Sequence, residues 1–155
     1  MMTGAVRTGR ASTRVKGFRV MGHTIWVDAE SDPNHQDTSV LIRMEEALDR
    51  LAGELQVPPL TGFYDYSELE SAYSDLVEDE TPPVEQWFDP KDALPTVRAI
   101  CTHMTDHPDA FDYSQEFQDY GRDRHGRLME GLRHVESELE RLAARGTRFR
   151  LLVVP

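Results

Sequence analysis

Residues 147–154, TRFRLLVV, decide how this chain folds. The run is aromatic and branched, it follows Gly146, and it is too short for another helix. It therefore reads as a closing β-strand, buried on both faces toward its end. A single strand does not persist alone, so the stretch needs a partner elsewhere in the chain. The partner is found at the other end: His23–Ala29, HTIWVDA, alternates, with His23, Ile25 and Val27 on one side and Thr24, Trp26 and Asp28 on the other. One strand at each end, with helical patterns between them, predicts a single α+β domain. Its plan is β-α-α-α-α-β, two terminal strands paired as a small sheet packed on about four helices, and an antiparallel pairing is preferred.

The helices follow from apolar spacing. Glu30–Asp37 is turn chemistry ending on Asp37 or Thr38 as a cap. A first helix is predicted over 38–56, with Leu41, Met44, Leu48, Leu51 and Leu55 on one face. Val57-Pro58-Pro59 stops it, because proline has no N–H for the ladder. Leu60–Tyr66, LTGFYDY, is expected to be an aromatic loop capping the core. Ser67-Glu68-Leu69-Glu70 then reads as a capping box opening a short helix to about Leu76, with Leu69, Ala72, Tyr73 and Leu76 buried. Residues 78–83, EDETPP, form a solvated linker.

Trp87-Phe88 returns the chain to the core, with Asp89 as cap and Pro90 at the first helical position. Pro95 would cost an interior hydrogen bond, so the expectation is one turn at 90–93 and a main helix over 94–105. That helix would bury Leu94, Val97, Ile100, Cys101 and Met104 and end at His107-Pro108. A last helix over 127–145 carries Leu128, Leu132, Val135, Leu139 and Leu142 as a seam, with Gly146 just past its end.

At WFDP…TVRAI, and again in ESELERLAARGTRFRLLV, the chain resembles a group of small bacterial proteins without an assigned activity. Their pattern is an opening strand ending near Trp26-Val27, a helix like EALDRLAGELQVPPL, and a segment like Trp87-Phe88-Asp89-Pro90 running into Thr96-Val97-Arg98-Ala99. The resemblance implies one structural domain beginning near Met21 and supplies no catalytic residue.

Charge narrows the function classes. Residues 1–20 hold five basic side chains and no acidic one, so residues 21–155 set 12 basic against all 28 acidic side chains, a net −16. The leader 1–20 reads as an irregular basic extension: it has no apolar core of a secretion signal, and Gly4, Gly9 and Gly17 interrupt any amphipathic helix. A body this acidic repels phosphate backbones, so no nucleic-acid partner is expected. No apolar run approaches the roughly 18 residues that would cross a bilayer, so no membrane partner is expected either. The one cysteine, Cys101, forms no internal disulfide, and apolar neighbours suggest a buried thiol in a reducing, cytoplasmic setting.

Candidate chemistry is sparse. His103 and His107 lie four apart, which places both imidazoles on one helix face at metal-ligand spacing. The residue after His103 is Met104, so the base of a His-Glu-x-x-His hydrolase is missing, and a histidine near a helix C-terminus is explained by the macrodipole. Pairs such as Asp65 with Glu68 or Asp89 with Asp92 arise by chance among so many carboxylates. The basic run GRDRHGR reads as a solvated helix entry rather than an anion-contacting loop. The expectation is a non-catalytic acidic protein, without cofactor or metal, that binds a basic protein partner as a toxin-neutralising immunity protein does. Its binding patch is placed at Glu78, Asp79, Glu80 and Glu85. The alternative is a metal-assisted hydrolase built on His103 and His107.

Overall fold

The computed structural model describes residues 24–30, 39–72, 84–111 and 124–155. The leader, the turn and cap predicted at 31–38, the distal part of the helix predicted from Ser67, the whole 78–83 linker, and residues 112–123 lie outside them.

The two end strands pair as expected. β1 (Thr24–Ala29) runs antiparallel to the closing strand β3 (Phe149–Val154), with Ile25 opposite Val153 and Asp28 opposite Arg150. A third strand, β2 (Tyr64–Asp65), joins the free edge of β3 in parallel, so the sheet order is β1-β3-β2. β3 is thus the central strand, and all six of its residues are buried. The stretch LTGFYDY is accordingly more than a loop: Leu60–Phe63 forms one 3₁₀ turn, and the next two residues enter the sheet. Phe88 extends the same edge, exchanging backbone hydrogen bonds of 2.7 and 2.9 Å with Phe149.

Pleating assigns the two faces of the sheet. Ile25, Val27 and Ala29 alternate onto the same side as Phe149, Leu151 and Val153, and these six belong to the main apolar core. Asp28 and Arg150 fall on the opposite side. Five α-helices appear among the described residues: α1 (Ser39–Arg43), α2 (Glu45–Glu54), α3 (Ser67–Ala72), α4 (Pro90–Asp106) and α5 (Arg124–Arg145). None of them is long and apolar enough to cross a membrane.

The helix predicted over 38–56 is two helices. Met44 sits at φ −106°, ψ 14° between α1 and α2, yet its N–H still reaches Val40 O and its carbonyl still accepts from Leu48 N. The bend has a packing cause: α1 lies against β1 and α5, whereas α2 lies against the 3₁₀ turn and α4. α2 then ends in a Schellman closure, Gln56 N to Gly53 O and Val57 N to Ala52 O, which forces Gln56 to φ 60°.

α4 is continuous through Pro95, where an interruption was expected. Only one ladder bond is lost, and Pro95 lies on the exposed side of the helix, where water can satisfy the freed carbonyl. Its start is as anticipated, with Asp89 Oδ1 accepting from Lys91 N at 2.9 Å and Pro90 at the first turn. All five residues predicted for its buried face are buried. They meet Leu128, Leu132, Val135, Leu139 and Leu142 of α5, of which none is more than 1% exposed. Burying a side chain of this size contributes about 1.5–3 kcal/mol, so this helix pair is a major source of stability. Ion pairs from Arg98 to Glu136 and Glu140 close its outer rim. α5 begins three residues earlier than predicted, through Gly126. It ends as foreseen, with Gly146 at φ 66° and bonds from Gly146 N to Ala143 O and Thr147 N to Leu142 O.

Candidate functional site

The most concentrated polar chemistry among the described residues lies on the side of the sheet away from the main core. Arg150 projects there from the central strand, where water cannot satisfy a guanidinium, so the fold must supply counter-charge. Its cross-strand neighbour Asp28 does so, with Oδ2 accepting from Nε at 2.8 Å. From the other edge Asp65 Oδ2 accepts from Nη1 at 3.2 Å, and Ser67 Oγ lies 3.3 Å from the same nitrogen. The three charged side chains are at most 8% exposed, and Asp65 is wholly buried. Glu85 stands further out, 3.7 Å from Nη1 and 59% exposed. The Trp87 ring covers the guanidinium at 4.4 Å, a cation–π stack in a desolvated place.

Asp65 is the hub. Its Oδ1 accepts from Ser67 N at 2.7 Å and its Oδ2 from Gln86 N at 2.6 Å, besides Arg150. The cluster therefore fastens β1, β2, the start of α3 and the extended segment 84–88 onto one strand. Ser67 is consequently not the cap of a capping box: its N–H is held by Asp65, its hydroxyl faces Arg150, and Glu70 N bonds Tyr66 O as an ordinary helical donor. Burial pulls the Arg150 pKa down, but hydrogen bonding to Asp28 and the charge of Asp65 outweigh it and hold it above the ordinary value. A guanidinium so held carries a permanent charge and cannot shuttle protons. The chemistry of the cluster is that of a fastening.

A second polar group sits under α2. Asp49 accepts from the hydroxyl and the backbone N–H of Thr61, clamping the 3₁₀ turn. Burial pushes its carboxyl above the ordinary 3.8 in spite of these bonds from Thr61 and one from the Leu60 backbone. Beside it the buried Tyr64 hydroxyl is pushed well up, first by burial and then by Glu45, to which it is hydrogen-bonded.

The residues singled out from sequence meet four different outcomes. His103 and His107 do come together, with ring centroids 4.5 Å apart at the last turn of α4, but no group of three potential ligands exists among the described residues. Cys101 is buried against α5, and its thiol is raised to about 11, chiefly by burial, with Glu136 adding to the effect and Arg133 opposing it; a thiolate nucleophile is disfavoured there. Asp89 is a helix cap and Asp92 an exposed first-turn residue, not a dyad. Of the acidic patch, Glu85 is exposed beside Arg150, whereas Glu78, Asp79 and Glu80 lie outside the described residues.

The Arg150 cluster was not anticipated as a site. One signal for it was present: an arginine inside a strand read as buried on both faces requires a carboxylate, and Asp28 occupies the matching parity of the partner strand. Comparison of the chain with protein-family models, curated proteins and solved structures gave no match.

Proposed function

We propose that this is a non-catalytic binding protein whose acidic surface meets a basic protein partner, in the manner of an immunity protein neutralising a toxin. The supporting observation is where the carboxylates lie. Among the described residues only Asp28, Glu45 and Asp65 are buried acids, and each of them is hydrogen-bonded inside the fold. Glu54, Glu68, Glu85, Asp106, Asp109 and Glu130 are exposed, and residues 21–155 as a whole carry a net −16, part of it on residues outside the described ones. Such a surface steers a cationic partner and rejects an anionic one. Glu85 is favoured as part of the contact because the segment carrying it is pinned at Gln86 and Phe88, so little ordering cost attends its use. Glu78, Asp79 and Glu80 complete the proposed patch.

The test is to read the genes flanking its own for a small basic protein and to titrate the full chain with that product by calorimetry, at about 50 and about 300 mM salt, a span over which surface charge becomes strongly screened; flanking genes that encode no such protein count against the proposal. The expected result is binding that weakens at the higher salt and weakens again in Glu85→Lys. Absence of binding, or binding indifferent to both salt and Glu85→Lys, would reject the proposal.

A further inference from the structure

We draw no further inference here: the strongest candidate, the open cavity of about 490 Å³ where the first turns of α5 face Thr105 and which His125, Met129, Glu130 and Arg133 line, is a helix N-terminus with a carboxylate set among its cations, and no second observation among the described residues points to a ligand there.

Discussion

Arg150→Met is the most informative perturbation, because it separates a buried fastening from surface decoration. The substitution keeps much of the side-chain volume and removes the charge. It leaves Asp28 and Asp65, at most 7% exposed, facing each other without a cation. Breaking a buried ion pair from one side typically costs about 3–5 kcal/mol, because the penalty falls on the stranded charge. A domain of this size has roughly 5–15 kcal/mol in all, so the variant should be severely weakened. With a urea dependence of about 2 kcal/mol per molar, the unfolding midpoint should fall by about 1.5–2.5 M. Urea titration followed by far-UV circular dichroism and by the fluorescence of Trp26 and Trp87 measures this. Arg148→Met provides the control two residues away: Arg148 pairs with Glu30 in solvent, and its loss should shift the midpoint little. Adding Asp28→Asn and Asp65→Asn to Arg150→Met should recover part of the loss. If the triple variant is no better than the single one, stranded charge is not the cause; if Arg150→Met costs no more than Arg148→Met, the cluster is not the fastening described above.

Three further substitutions probe other parts of the fold. Gln56→Gly relieves a left-handed backbone forced on a residue with a Cβ, and thermal unfolding should show a gain of about 1 kcal/mol; a loss would mean that Gln56 makes contacts worth more than the strain. A Cβ at Gly131 would stand 2.7 Å from Val40 Cγ1, where α5 meets α1. Gly131→Ala should therefore destabilise by about 1–2 kcal/mol despite alanine's better helix propensity, and Val40→Ala in the same chain should offset part of that; simple additivity would refute the close approach. Asp49 has a folded pKa raised above its unfolded value, so the native state binds the extra proton. Its contribution is fully present below about pH 3.8 and is lost as pH rises through the higher folded value. The melting temperature of the native chain relative to Asp49→Asn should accordingly fall across that window, and a constant difference from pH 3 to 7 would exclude the assignment.

The layered plan was legible in the sequence because it rests on periodicities that neighbouring residues express together. The strand at 149–154, the seam Leu128–Leu142 and the buried face Val97–Met104 each announce themselves within one element. What escaped was decided between elements. Nothing near Met44 breaks a helix; the bend arises because the residues before it pack on the sheet and those after it pack on α4. Pro95 has the reverse lesson: a local rule predicted a break, but an exposed position and the apolar face shared with α5 carried the helix through. Ser67 followed by Glu70 satisfied a capping pattern, yet Asp65, two residues earlier, holds the serine N–H that the pattern gives to the Glu70 side chain.

The Arg150 cluster shows most sharply where such inference stops. Asp28 and Asp65 lie 122 and 85 residues from Arg150 in the chain, so no local pattern joins them. Once an arginine is placed in the central strand, however, the physics becomes demanding. A desolvated guanidinium needs acceptors, the strand pairing brings one carboxylate directly opposite, and the two-residue strand β2 brings the other. That second acceptor could not have been foreseen, because two residues are too few to announce a strand. The same cluster also bears on function. It sets one guanidinium against two buried carboxylates and leaves Glu85 half-exposed at its rim, where the proposed partner would meet it. A basic protein meeting this surface would encounter a preformed carboxylate rather than a flexible one, which is why the salt dependence of binding and the effect of Glu85→Lys should change together.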